Sequence, residues 1–164
     1  MCDTRNVTKF LTKPLTLWIL FALFILETIG FAAIMAVWDF ELIDEISDPE
    51  TVRHHIAEMT ALQRTVHIWT TATLDVAYPL TYGPLFAGLA LRAFKPVFAI
   101  PAIAVILTDL AEGVVQVLAL AGSSDLIWLK AYLTPLKLVL FLTGIVIALA
   151  ALVVGYLNRR RAKD

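Results

Sequence analysis

Four long apolar runs, residues 15–38, 66–94, 97–121 and 131–156, leave this chain few ways to fold. Each is longer than the ~20 residues a helix needs to cross ~30 Å of hydrocarbon. At that depth backbone N–H and C=O groups must be satisfied within the segment, which favours helices. Hydrophobic residues make up 60% of the 164, against roughly 45–50% in a soluble domain, and the excess lies in these runs. The pattern predicts an all-α membrane protein, a four-helix transmembrane bundle in which residues 1–164 form one integral membrane domain. No Gly/Ser linker, low-complexity tract or internal repeat divides it.

The net charge of −1 is uninformative, but its distribution orients the chain. Arg5, Lys9 and Lys13 precede the first run, Arg92 and Lys95 separate the second from the third, and Arg159, Arg160, Arg161 and Lys163 follow the fourth. In a four-span layout these all fall on one side, and the positive-inside rule places that side, with the N and C termini, in the cytoplasm. The opposite side carries Arg53, Arg64 and Lys130 among many acids: Asp39, Glu41, Asp44, Glu45, Asp48, Glu50, Glu58 and Asp125. A basic run directly abutting a span marks topology, so nucleic acid is not expected as a partner. The first run exceeds a ~7–15-residue signal-peptide core and is read as a permanent helix. Cys2 is the single cysteine, which excludes an intramolecular disulfide or a C-x-x-C redox pair. For a bacterial source the expected location is the inner (plasma) membrane, multi-pass.

Ionisable residues inside the runs point to a site. Glu27, Asp75, Asp109, Glu112 and Lys137 each sit in an otherwise apolar stretch. An ionised group there costs at least roughly 2.5–3.5 kcal/mol, so such residues face protein or a wet cavity. At ~1.5 Å rise per residue, Lys137 lies about 10 Å from the outer end of its span, Asp75 and Glu112 about 13 Å, Glu27 about 16 Å and Asp109 about 18 Å. The shared depth predicts that these groups meet. Asp109, Glu112 and Gln116 lie on one face of a helix, as do Thr134 and Lys137. Lys137 is expected to pair with Asp75 or Glu112. Burial and mutual repulsion would keep one or two acids protonated.

The second run is unusual. Pro79 and Pro84 each remove an N–H and crowd the carbonyl four residues back, which for Pro79 belongs to Asp75. A disrupted helix beside its own carboxylate marks a polar pocket, expected to hold Glu27, Asp75, Tyr78, Tyr82, Asp109, Glu112, Gln116 and Lys137. Small residues at Gly83/Ala87 and Gly144/Ala148 allow close helix approach. In the first outer loop, Ser47-Asp48-Pro49-Glu50 predicts the start of a short amphipathic surface helix. His54, His55 and Glu58 have metal-compatible helical spacing but at most a partial ligand set, and together with His67 they are expected to be solvated. No metal or cofactor is assigned. Trp18, Trp38, Trp69 and Trp128 fall at the expected interfaces.

The run Asp75-Val76-Ala77-Tyr78-Pro79-Leu80-Thr81-Tyr82, followed by Asp109-Leu110-Ala111-Glu112 in the next span and Lys137 in the last, resembles a loose group of small bacterial four-span integral membrane proteins. The resemblance covers about the last hundred residues and implies a four-span fold without an activity to carry over. The layout is also similar to four-helix sterol isomerase-like membrane proteins, which hold buried acids in a lipid-facing pocket, a likeness of architecture only.

Three functions follow as expectations. The first is a pocket that binds a lipid-like or amine-bearing hydrophobic small molecule from the outer leaflet and acts on it by acid–base chemistry, with Asp75 and Glu112 as catalytic candidates. The second is an accessory subunit whose buried charges face partner membrane subunits or a second copy of the chain. The third is proton- or cation-linked transport, against which the nearly charge-free inner halves of the spans argue.

Overall fold

The structure is a computed structural model and describes residues 4–38 and 42–162. Cys2, Asp39, Glu41 and Lys163, with the side chains of Arg5 and Glu45, lie outside the described residues. The chain is 89% helical, and no strand occurs among the described residues. The α-helices are α1 (Thr4–Leu11), α2 (Pro14–Trp38), α3 (Pro49–Glu58), α4 (Ala61–Thr70), α5 (Val76–Ala93), α6 (Ile100–Leu120) and α7 (Lys130–Arg161). Short 3₁₀ turns at Ile43–Glu45, Pro96–Ala99 and Ile127–Leu129 connect them. Three helical stretches, Pro14–Trp38, Pro96–Leu120 and Ile127–Arg161, are long and apolar enough to cross a membrane.

Local chemistry sets the boundaries. The Asp48 side chain accepts from the Thr51 N–H at 2.8 Å, with Pro49 in the first turn, so α3 begins where the sequence signal places it. Thr60 and Gln63 form a reciprocal capping box, and α4 therefore starts upstream of the expected second span. Between α4 and α5 the chain makes a π-helical turn, Thr71–Asp75. That turn ends at the residue whose carbonyl Pro79 would crowd. The wider spacing of a π turn relieves such a clash without ending the helix at Pro79, and α5 continues through Pro84 as well.

α5 is the central element. It packs against α2, α6 and α7, and α6 packs along α7. α2 leans on α5 and α1 and shares no substantial interface with α6 or α7. Only Leu17 of α2 is buried, whereas α5 buries residues from Pro79 to Ala90. A wedge is thus left between α2 and α7, floored by α5.

The interior is layered. One apolar cluster joins Leu17, Tyr82, Leu85, Phe86, Ala99, Val105 and Ala148. A second, of Ile43, Val52, Val115, Leu120 and Ile127, lies under the segment that follows α2. Val52 and Ile43 fix this segment, residues 42–58, as a cap folded back over the helix ends. Arg53 of α3 holds it to the α6–α7 loop through Asp125 at 3.0 Å. Charged side chains occupy the layer between the two clusters.

Close approach depends on glycine at Gly83, Gly88 and Gly144. A Cβ on Gly88 would lie 2.6 Å from the Leu11 carbonyl oxygen, and one on Gly144 would lie 3.0 Å from the Phe86 ring. Gly88→Ala must displace backbone to fit, and should lower stability by about 1–3 kcal/mol. Gly155 has open space where its Cβ would go, so Gly155→Ala should be neutral or stabilising by up to about 1 kcal/mol. Thermal unfolding of the two variants in one detergent checks the contrast.

Candidate functional site

Two helical stripes and the cap supply the charged layer. Asp109, Glu112 and Gln116 project from one face of α6. Lys130, Thr134 and Lys137 project from the facing side of α7, spaced i, i+4 and i+7. Asp44 enters from the 3₁₀ turn of the cap.

Glu112 is at the centre and fully buried, as is Lys130. One carboxylate oxygen of Glu112 accepts from both Lys130 Nζ and Thr134 Oγ1. The other lies 2.7 Å from Lys137 Nζ. Lys137 Nζ is also 2.6 Å from Asp44 Oδ2 and 3.3 Å from Asp109 Oδ1. One ammonium is therefore ion-paired with three carboxylates, and its hydrogen bond goes to Asp44. Neutral donors add to the set: Tyr82 Oη donates to Asp109 at 2.6 Å, and Gln116 Nε2 to Asp44 at 2.9 Å, while Asp109 Oδ1, Glu112 Oε2 and Gln116 Oε1 are buried without a hydrogen bond. Burial pushes the Asp44 carboxyl up, but the attraction of Lys137 and its hydrogen bond outweigh this and hold Asp44 below the ordinary carboxylate value.

His67 fastens the cap from beneath. It is fully buried, not solvated as its place in the sequence suggested. Nε2 accepts the Ile43 N–H at 3.3 Å, and Nδ1 lies 3.3 Å from Thr71 Oγ1. The neutral ring with its proton on Nδ1 satisfies both contacts. His54 and Glu58 are an exposed pair at 3.3 Å, as an i, i+4 spacing allows.

Asp44, Asp109 and Glu112 bring three carboxylate oxygens close enough to ligate a cation. The Lys137 ammonium already stands among those oxygens, and a metal ion would have to displace it. This triad is built around a lysine.

The remaining sequence candidates are placed differently. Asp75 is 9% exposed, yet it has no hydrogen-bond or ion-pair partner among the described residues. It faces α6 at Gly113, where a Cβ would stand 3.6 Å from Asp75 Oδ2. Lys137 pairs with Glu112, Asp109 and Asp44 and makes no ion pair with Asp75. Glu27 lies apart on α2, where one oxygen accepts from Thr81 at 2.9 Å and the other is buried without a hydrogen bond. Tyr78 Oη contacts Thr28 Oγ1 at 3.2 Å, and its ring stacks on Phe24 at 5.3 Å.

Two clefts adjoin the charged layer. One, about 400 Å³, lies between α5 and α7 and is lined by Tyr82, Asp109, Lys137, Leu138 and Phe141. The other, about 530 Å³, lies between α2 and α5 and is lined by Phe31, Met35, Leu42, Ile46 and Asp75. Asp44 and Tyr78 line both, so the two clefts lie side by side at these two residues. Glu112 lines neither.

Asp44 and Lys130 were not among the sequence candidates. Signals for both exist in the sequence. Asp44 is embedded in the apolar residues Leu42, Ile43 and Ile46 of an otherwise acidic loop, the pattern of a docked segment. Lys130 continues the Thr134–Lys137 stripe one turn beyond the expected start of its span.

No family model matches the chain, and neither does any curated protein or any solved structure. The functional reading rests on the geometry.

Removing one partner of a buried ion pair costs about 3–5 kcal/mol, because the other charge is left unpaired. Lys130→Met should destabilise by that amount in chemical or thermal unfolding. Lys130→Met combined with Glu112→Leu should recover most of the loss, since Lys137 keeps Asp44 and Asp109. A double variant no more stable than the single one would show that Glu112 is paired by Lys137 alone.

Proposed function

We propose that the chain is a four-span membrane protein of the bacterial inner membrane that binds an amphiphilic small molecule in the groove between α2 and α7. The observation that carries this reading is a pair of adjacent clefts that share Asp44 and Tyr78 in their walls. They form a site with aromatic and aliphatic walls, a charged outer end, and a side open where α2 and α7 fail to meet. Volumes of a few hundred Å³, apolar walls and a few convergent polar groups are the usual makeup of a small-molecule site. A lateral opening suits a molecule that arrives through the bilayer.

The α4–α5 stretch supplies the remaining crossing in this reading. Its polar residues Thr70, Thr71 and Asp75 are buried against protein, which makes a weakly apolar segment compatible with lipid. Both termini are assigned to the basic, cytoplasmic side and the cap to the outer side. An impermeant maleimide added to intact cells should then label Ser124→Cys in a Cys2→Ser background and leave Cys2 of the natural chain unlabelled. The reverse pattern would overturn the orientation.

Of the two carboxylates considered for acid–base work, Asp75 faces the groove, whereas Glu112 is locked between Lys130, Thr134 and Lys137. Any proton exchange with a bound molecule falls to Asp75. A second reading, an assembly subunit, draws on one specific observation: α2 buries no residue besides Leu17, leaving a helix face for a partner.

Native mass spectrometry of the chain extracted with its surrounding lipid separates the two. The expected result is a small-molecule adduct on the wild type that disappears in Leu138→Trp, a substitution that fills the α7 wall at an exposed position. A stoichiometric protein partner without such an adduct would replace the first reading by the second.

A further inference from the structure

The groove differs in charge on its two sides. Asp44 lines both clefts; the cleft against α7 adds Asp109 and Lys137, the cleft against α2 adds Asp75, and among the described residues no lysine or arginine lines the latter. Asp44 is already engaged by Lys137 and Gln116. Asp75 is different: nine-tenths buried, lining the cleft, and without hydrogen bond or ion pair among the described residues. The charged layer cannot supply its counterion. Lys137 faces Asp44, Asp109 and Glu112, and Lys130 faces Glu112 and the Asp44 carbonyl.

We propose that Asp75 anchors the ammonium group of a cationic amphiphile, a long-chain primary amine, whose apolar body lies along the α2 wall formed by Phe31, Ala32 and Met35. This rests on the binding reading above and names the class of ligand. Four carboxylates, Asp44, Asp75, Asp109 and Glu112, surround two ammonium groups in the protein. An incoming ammonium supplies charge and N–H donors at the one carboxylate that lacks both, and a charge-assisted hydrogen bond there is stronger than a neutral one. An anionic amphiphile would meet Asp44 and Asp75 with no cation on that side. A neutral alcohol would offer Asp75 a hydrogen bond without a charge, the weaker of the two interactions. A zwitterion would bring a negative charge that the α2 cleft cannot pair.

The test is equilibrium binding of radiolabelled dodecylamine and of dodecanol to the full chain in lipid nanodiscs, with protein-free nanodiscs as the baseline. Saturable dodecylamine binding at least about ten-fold tighter than dodecanol binding is expected, a margin of about 1.4 kcal/mol. Asp75→Asn should remove that margin, and Asp75→Glu should keep part of it. Ala32→Phe, on the exposed side of α2 and away from the charged layer, should block the amine while leaving Asp75 intact, so the conclusion survives if Asp75→Asn fails to fold. Equal binding of alcohol and amine, or wild-type amine binding by Asp75→Asn, would overturn the amine assignment while leaving the groove reading in place. No saturable binding of either probe, together with no effect of Ala32→Phe, would overturn both.

Discussion

One ammonium group ties the molecule together. Lys137 reaches from α7 to two carboxylates on α6 and a third on the cap. A charge buried without a partner is far more costly than a paired one, so each group constrains the others. The register of α6 against α7 is set by Glu112 meeting both Lys130 and Lys137. The position of the cap is set by Asp44 reaching the same lysine, with Ile43 seated in apolar surroundings and bonded to His67. An apolar interface alone would let helices slide or rotate by small amounts at little cost. This one cannot do so without separating charges.

The groove follows from two further facts about α5. A proline that would break the helix is accommodated by a π turn, and that turn ends at Asp75. The carboxylate therefore sits at the edge of the charged layer, beside Gly113, and not in line with the α6 and α7 stripes. In addition, α5 is the main partner of α2, whose far side stays open. Tyr78 stands at the junction, stacked on Phe24 of α2 and edge-on to Tyr82, which in turn binds Asp109. A single aromatic row links the loosely packed helix to the buried ions, and a molecule pressing on α2 would act on the charged layer through it.

What could be read from the residues was what depends on helical periodicity. Asp109, Glu112 and Gln116 had to share a face, as did Thr134 and Lys137, and the structure turns these faces toward each other. The start of α3 was legible because Asp48 and Pro49 have one job in that order. Depth along a helix, however, says nothing of azimuth. Glu27 was grouped with the other acids by depth, yet it points to Thr81, on a different side of α5 from the neighbouring Tyr82. Nor does a linear reading show a loop returning over the helix ends. In the sequence Asp44 is one outer-loop acid among many, and Lys130 one of three cations on that side. Both were hidden because their partners are distant in sequence, and only the apolar neighbours of Asp44 hinted that its loop is docked.

The contrast between Lys137 and Asp75 is the most informative chemical fact about the site. Three clustered carboxylates ordinarily suggest a metal ion, but here a lysine on the adjacent helix supplies the cation from within. That arrangement fixes geometry permanently, because a tethered ammonium does not dissociate. Asp75 lies close enough to Asp44, Asp109, Glu112 and Lys137 to feel their charges, yet none of them completes it. If the four acids served only to hold helices in register, the fourth would be expected to find a donor as the other three do, from a tyrosine, a glutamine, a threonine or a lysine. Its place in the wall of a cleft, with Lys130 and Lys137 directed to other carboxylates, is what the proposed exchangeable partner would complete.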